Sequence, residues 1–176
     1  MCSSDLNIMM ERRPYTHIND NERRDLRARL THVFQHEPVS DICRLVGPPE
    51  ALHMHHTVGY ANTLFNLVSG QIYVDEYAFF GQDCAVLTGE HPYWFTNQRR
   101  QQTTVTYGND IWIGKGVWVA SRAVILGPCR IGDHAVISAG SVVRSGDYEG
   151  GCLYAGNPAR FVRKIEFDPA HPRKPS

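Results

Sequence analysis

The feature of this chain that most restricts its fold is a run of aliphatic residues at every sixth position. The run comprises Ile113, Val119, Ile125, Ile131, Ile137 and Val143. The position two residues before each of the last five is also small or branched: Val117, Ala123, Cys129, Ala135 and Ser141. Neither the 3.6-residue period of a helix nor the two-residue alternation of an ordinary strand produces a strict period of six.

A three-sided coil explains this period. If each hexad supplies one short strand and one corner, three hexads complete a turn, and successive turns stack about 4.8 Å apart through backbone hydrogen bonds. The aliphatic residues then form columns inside the prism, and the small residues fill the narrow space beside them. The sequence therefore predicts an all-β chain folded as a parallel β-helix of hexapeptide repeats.

The same register continues upstream, where Val68, Val74, Phe80 and Val86 are also six apart. From Val86 to Ile113 is 27 residues, which is not a multiple of six, so an insertion must interrupt the coil. The intervening sequence is polar and aromatic over about residues 89–106. We expect it to protrude from the prism as a loop.

The chain is expected to divide into three regions. Residues 1–50 form an N-terminal helical or irregular segment, in which the stretch 19–35 places Leu26, Leu30, Val33 and Phe34 at helical spacing. Residues 51–165 form the β-helix domain with its loop insertion, and residues 166–176 form a C-terminal tail.

Charge and cysteine content restrict the possible partners. Lys+Arg and Asp+Glu both number 18, and the pI is about 7.1, so no overall field favours nucleic acid or an anionic membrane. The apolar runs are too short to cross a bilayer, and the N-terminus lacks the pattern of a secretory signal. Five cysteines without a CxxC pair argue against a zinc site or a disulfide framework. These features predict a cytoplasmic protein with reduced thiols.

Three motifs together carry a family resemblance: TGEHP at residues 88–92, the hexad array, and AGNPAR at residues 155–160. Over about residues 68–165 the chain resembles the hexapeptide-repeat acyltransferases, in particular the galactoside and maltose O-acetyltransferases and the acetyltransferases of polysaccharide assembly. The resemblance implies a left-handed β-helix, an exception to the usual right-handed crossover. It also implies a homotrimer with active sites between subunits. The implied reaction transfers an acetyl or similar acyl group from acetyl-CoA to a hydroxyl or amine of a sugar or sugar nucleotide.

The resemblance also implies roles for individual residues. His91, in the His-Pro pair at the start of the loop, is the implied general base, and imidazole suits this role because it titrates near neutrality. Ser121 is implied to offer its backbone amide to the oxyanion. The implied CoA contacts are Trp118, Ala139, Arg160, Arg163 and Lys164. On the acceptor side, Asn62 and Asn66 compete for one position, and Tyr93 and Trp94 either shape the acceptor pocket or pack on a neighbouring subunit.

Two alternatives stay open. A metalloenzyme like the γ-class carbonic anhydrases uses a similar fold but needs three converging histidines, and His91 and His134 lack partners at a matching spacing. A catalytically silent scaffold would not bind CoA.

A covalent route through Cys84 conflicts with its inward position, where a buried thiol is expected. No carboxylate or thiolate accompanies His53, His55 and His56 at ligand spacing, so we expect no metal there and favour a place in an acceptor pocket.

Overall fold

The computed structural model describes residues 43–167 of the chain. The helix expected over residues 19–35 and most of the expected C-terminal tail lie outside these residues. The described part consists almost entirely of short strands, with one α-helix, α1 (Asn97–Gln102), and a 3-10 helix at Pro49–Ala51. Neither helix is long and apolar enough to cross a membrane.

Sixteen strands follow one another within residues 43–167, and each has two to five residues. They are β1 (Cys43–Val46), β2 (Leu52–Met54), β3 (Gly59–Ala61), β4 (Thr63–Asn66), β5 (Ile72–Val74), β6 (Phe79–Gln82), β7 (Ala85–Leu87), β8 (Ile111–Ile113), β9 (Trp118–Val119), β10 (Val124–Leu126), β11 (Cys129–Ile131), β12 (Val136–Ile137), β13 (Val142–Val143), β14 (Gly146–Tyr148), β15 (Cys152–Ala155) and β16 (Arg160–Lys164).

From β1 to β15, each strand pairs in parallel with the strand three places further along the chain. These residues therefore form a three-sided parallel β-helix. Sheet A contains β1, β4, β7, β10 and β13; sheet B contains β2, β5, β8, β11 and β14; sheet C contains β3, β6, β9, β12 and β15. The two other sides of the prism supply the long connection that a parallel strand pair requires. Strand β16 reverses direction and pairs antiparallel with β15, which closes the open edge of sheet C.

The predicted register of the central coils is confirmed. Ile111 pairs with Cys129, Trp118 with Val136 and Val124 with Val142, so each of these turns takes eighteen residues, or three hexads. The six aliphatic residues at the six-residue spacing and their five small neighbours are all buried, with exposures of 0 to 3 %. The apolar residues of this interior column belong to the hydrophobic core of the described residues.

The upstream coils depart from the predicted register at one corner. Val74, Phe80 and Val86 are buried as expected, but Leu67 is 2 % exposed and takes the inward position expected for Val68. Leu52 pairs with Ile72, twenty residues on, so this turn has two residues more than three hexads. The upstream coils are also less regular within the strands, because the register between β3 and β6 shifts between Gly59 and Ala61.

The β-helix also begins earlier than the predicted start at residue 51. Strand β1 pairs along its full length with β4, from Cys43 with Thr63 to Val46 with Asn66. Gly47 and Pro48, which predict a turn, lie between β1 and the 3-10 helix and form a corner of the first coil. Strand β16 ends at Lys164, next to the predicted end of the domain at residue 165.

Candidate active site

The loop that carries His91 leaves the prism at the corner between sheets A and B, which we call corner AB. It begins after β7 and returns at β8. The Asn109 side chain holds the two ends together, because its Nδ2 donates to the Thr88 carbonyl at 2.9 Å and to Glu90 Oε2 at 3.0 Å. The Glu90 amide also donates to the hydroxyl of the buried Ser69, at 3.0 Å. The base of the loop is therefore fixed to the prism.

The His91 ring is held through one nitrogen only. Its Nδ1 lies 2.8 Å from the carbonyl oxygen of Thr103 and 3.1 Å from that of Arg100. Carbonyl oxygens only accept, so the hydrogen-bond network assigns the ring proton to Nδ1 in the neutral imidazole. Nε2 then carries the lone pair, and it makes no hydrogen bond within residues 43–167. The exposed ring therefore presents a proton acceptor to solvent.

Asn66 lies at the same corner, at the end of β4. Its amide group packs directly on Gly89, since a Cβ on Gly89 would come within 2.6 Å of both Asn66 Oδ1 and Nδ2. Asn66 Oδ1 accepts from the Val68 amide at 3.1 Å, and the Asn66 carbonyl accepts from the Thr88 hydroxyl at 2.8 Å. Asn66 thus contacts the TGEHP segment two residues before His91.

A cleft of about 370 Å³ opens at corner AB beside the base of the loop. Its lining includes Gly89, Glu90, Asn109, Arg144 and Ser145. The loop aromatics Tyr93 and Trp94 extend outward, and they are 73 % and 61 % exposed. Corner AB therefore combines a cleft, an imidazole with a free nitrogen and exposed aromatic rings.

Ser121 lies at a different corner, between sheets C and A, which we call corner CA. Its hydroxyl accepts from the Gln82 amide at 3.1 Å, and its carbonyl accepts from the Gly140 amide at 3.0 Å. Its own amide makes no backbone hydrogen bond within the described residues. Gly81 approaches Ser121 closely, since a Cβ on Gly81 would lie 2.5 Å from this amide nitrogen. An amide without a backbone acceptor is a candidate donor to an oxyanion.

The residues expected to contact CoA lie at corner CA or on the outer face of sheet C. Trp118 is 44 % exposed and stacks on Phe79, with ring centroids 5.8 Å apart. Ala139 is exposed one coil beyond Ser121. Strand β16 presents the exposed Arg160, Arg163 and Lys164 along the edge of the same sheet. Lys164 pairs with Glu149 at 3.4 Å across an exposed surface.

Asn62 belongs to corner CA, and not to the corner of His91. It lies between β3 and β4, and its Nδ2 donates to Asp83 Oδ1 of the next coil. The structure thus separates the two asparagines that the sequence left in competition. Only Asn66 lies beside the loop that carries His91.

The other histidines within residues 43–167 lie apart from corners AB and CA, and the Cys84 thiol lies inside the core. His53 stacks on Tyr73 at 4.6 Å and lines a groove of about 500 Å³ on the outer face of sheet B, and His55 bonds to Thr57. Within residues 43–167 no three His, Cys, Asp or Glu side chains converge as a metal site. The Cys84 thiol donates to the Ala120 carbonyl at 3.3 Å, and burial raises its pKa, so it remains a thiol.

The sequence did not indicate several residues that shape the site. The partners of His91 Nδ1 are backbone carbonyls, which any residue type supplies. Gly81 and Asn109 act through close approach and buried hydrogen bonds to residues distant in sequence. A glycine inside a strand is typical of a close backbone contact, so the position of Gly81 in β6 is a local signal that could have identified this contact.

Comparison with known proteins identifies the repeat. The family model of the bacterial transferase hexapeptide repeat matches residues 110–145. A galactoside O-acetyltransferase from Lactococcus lactis is 30 % identical over 115 residues, which are 64 % of this chain and 54 % of that protein. The galactoside O-acetyltransferase of Escherichia coli is 40 % identical over 65 residues, 37 % of this chain and 32 % of that protein. The chain thus spans about half, or less, of the length of these relatives.

Solved structures share the fold. A maltose O-acetyltransferase from Clostridium difficile superposes with a TM-score of 0.56 at 22 % identity, covering 86 % of this chain and 79 % of that one. An N-acyltransferase from Bacillus cereus, solved with dTDP and coenzyme A, superposes with a TM-score of 0.51 at 12 % identity, covering 70 % of this chain and 78 % of that one. The predicted left-handed parallel β-helix is confirmed. Residues 110–145 of the chain therefore carry a bacterial transferase hexapeptide repeat, the chain shares the fold of a maltose O-acetyltransferase, and its sequence is similar to those of galactoside O-acetyltransferases.

Proposed function

We propose that the chain is a CoA-dependent acyltransferase. In this proposal it transfers an acetyl or similar acyl group from acetyl-CoA to a hydroxyl or amine of a sugar or sugar nucleotide. The observation that carries the proposal is the His91 ring, held at Nδ1 by two carbonyl oxygens with Nε2 free. The acetyltransferase names of the sequence relatives support the choice of reaction.

His91 acts as the general base in a direct transfer. Its Nε2 takes the proton of the acceptor hydroxyl or amine while the acceptor oxygen or nitrogen forms a bond to the thioester carbonyl carbon. The carbonyl π electrons move to oxygen, which gives a tetrahedral oxyanion. When the oxyanion collapses, the carbon–sulfur bond breaks and CoA leaves as a thiolate, which takes the proton from the His91 imidazolium. The protein returns to its starting state.

The Thr103 and Arg100 carbonyls contribute to this step in two ways. They hold the proton on Nδ1, so that Nε2 is the basic nitrogen, and their negative ends stabilise the positive charge that the ring acquires. An aspartate performs the same two tasks for the histidine of a serine hydrolase. Here the backbone of the loop replaces the carboxylate.

The Ser121 amide is the proposed oxyanion donor. A donor that is already in place when charge develops lowers the barrier without reorganisation. The Trp118 ring and Ala139 lie on the same side of the prism, where we place the pantetheine arm. Arg160, Arg163 and Lys164 supply the positive charge for the nucleotide phosphates of CoA. Asn66, with Tyr93 and Trp94, forms the acceptor side.

The two halves of this site occupy different corners of one prism. His91 and Asn66 lie at corner AB, whereas Ser121 and Ala139 lie at corner CA, with sheet A between them. One thioester cannot contact both corners of one protomer across a sheet face. We therefore propose that corner AB of one protomer meets corner CA of the next, which a closed homotrimer repeats three times.

The structural observations weigh against the other candidates. A covalent route needs a thiolate, but the Cys84 thiol is buried and its pKa is raised. A carbonic anhydrase site needs converging histidines, whereas His134 packs on Phe167 at the corner between sheets B and C, away from His91. A silent scaffold would not need an imidazole oriented by two carbonyls.

A thiol-release assay tests the proposal. The wild-type protein is incubated with acetyl-CoA and a panel of sugars, nucleotide sugars and amines. His91→Ala is expected to lower kcat by about 10²- to 10⁴-fold, the usual contribution of a general base. Binding of CoA, measured by calorimetry, is expected to stay unchanged. His134→Ala is the matched control, because it removes another exposed corner histidine. A near wild-type rate for His91→Ala contradicts the assignment of the base.

A further inference from the structure

We propose that Arg100 is a positioning residue that holds His91 in its base-competent orientation and tautomer. The inference deepens the proposed function and rests on it. It concerns an exposed side chain of α1, a helix in which no residue is buried.

The Arg100 side chain fastens the segment that follows His91. Its Nε donates to the Phe95 carbonyl at 2.6 Å, and its Nη2 donates to the Tyr93 carbonyl at 2.7 Å. Both bonds are short and are strengthened by the guanidinium charge. The planar fork of arginine suits two carbonyls at once, which a lysine ammonium does not reproduce.

The Arg100 backbone fastens His91 itself. Its carbonyl accepts from His91 Nδ1 at 3.1 Å, beside the Thr103 carbonyl at 2.8 Å. The turn that presents these carbonyls is itself fixed, since the Arg100 amide donates to the Thr96 carbonyl and the Thr103 amide to the Arg99 carbonyl. Arg100 thus connects two segments of the loop: its side chain hydrogen-bonds to the segment 93–95, and its carbonyl accepts from His91.

The arrangement has a chemical consequence. Which ring nitrogen of a histidine carries the proton depends on the hydrogen bond that the other makes. If the Arg100 fork is lost, the segment 93–95 separates from α1, and the carbonyls of residues 100 and 103 move away from Nδ1. The two tautomers then compete, and a ring with its proton on Nε2 cannot accept the proton of the acceptor.

The neighbouring arginine provides a matched control. The Arg99 guanidinium stacks over the Phe95 ring at 3.6 Å, and it makes no hydrogen bond to a loop carbonyl within residues 43–167. Arg99→Ala therefore removes an equal charge and a similar volume from the same short helix without opening the fork. Arg100→Lys keeps the charge but loses the simultaneous contact with both carbonyls.

The test combines NMR of the imidazole rings with kinetics. The ¹⁵N-labelled wild-type, Arg100→Ala, Arg100→Lys and Arg99→Ala proteins are compared, and the His91→Ala spectrum assigns the His91 signals. Wild-type and Arg99→Ala are expected to show a single Nδ1–H tautomer. Arg100→Ala is expected to show both tautomers and a kcat lower by about 10²-fold with an unchanged KM for acetyl-CoA. Arg100→Lys should lie between them.

Each outcome decides the proposal. A His91 ring that stays in the Nδ1–H form in Arg100→Ala, with an intact fold by circular dichroism, overturns it whatever the rate. A changed tautomer with an unchanged kcat also overturns it. The NMR readout needs no substrate, so a wild-type protein without acyltransferase activity refutes the proposed function separately, and the spectra still report whether Arg100 orients His91.

Discussion

A single methyl group at residue 81 tests whether the Ser121 amide lies where the structure places it. In Gly81→Ala, the new Cβ would lie 2.5 Å from the Ser121 nitrogen, 2.6 Å from its Oγ and 2.9 Å from its Cα. All three distances are below the 3.0 Å that real Cβ contacts keep. Two of these atoms belong to the backbone, so rotation of a side chain cannot relieve the overlap. Corner CA must move.

The expected cost follows from this overlap. Inserting a methyl group into a packed region that must shift costs about 1–3 kcal/mol. In a domain of this size each kcal/mol lowers Tm by about 2–4 °C, so Gly81→Ala should melt about 2–12 °C below the wild type. The displaced amide can no longer meet the oxyanion, and the loss of one such donor lowers kcat by about 10²- to 10³-fold.

Thermal unfolding followed by circular dichroism, together with the thiol-release assay, measures both effects. Gly59→Ala is the matched control on the same sheet one coil earlier, because its Cβ would lie at an ordinary 3.5 Å from Phe79 Cβ. Its Tm should stay within about 2 °C of the wild type. If Gly81→Ala melts like Gly59→Ala, the close approach is absent. A lower Tm with an unchanged kcat would refute the oxyanion role of Ser121.

Two further predictions concern stability. Burial raises the pKa of the Cys129 thiol from 9.0 to about 12, so the folded protein retains a proton that the unfolded chain loses. The free energy of unfolding should therefore be unaffected by this thiol below pH 9 and fall by about 1.4 kcal/mol per pH unit above it. Urea titrations at several pH values above 9 should show that the free energy of unfolding falls less steeply with pH for Cys129→Ala. An unchanged dependence on pH contradicts the raised pKa of Cys129. Asn109→Ala leaves the Thr88 carbonyl and Glu90 Oε2 without their donor and should cost about 1–3 kcal/mol in the same titrations, with faster proteolysis of the loop. An unchanged urea midpoint would show that the loop base is held elsewhere.

The central coils could be predicted from the sequence because their physical constraint is local and repeated. Ile113, Ile125 and Ile137 recur at a period that only a three-sided coil buries, and each hexad confirms the previous one. The count between Val86 and Ile113 also indicated an insertion, because a broken period is visible without knowledge of the loop conformation. The upstream coil was less predictable. An extra corner residue moves Leu67 into the core in place of Val68, and the composition of a corner does not show how many residues it contains.

The arrangement of the candidate site was decided by the tertiary structure. His91 was indicated by its motif, but the two carbonyl oxygens that orient its ring come from residues 100 and 103, after a helix folds back on the loop. The sequence alone does not show which of Asn62 and Asn66, four positions apart, lies near the acceptor. In the folded chain the two residues lie at different corners of the prism. The regular spacing of aliphatic side chains along the sequence specifies which residues face the core. Backbone carbonyls and corner positions carry no side-chain pattern, so only the folded chain determines which atoms meet.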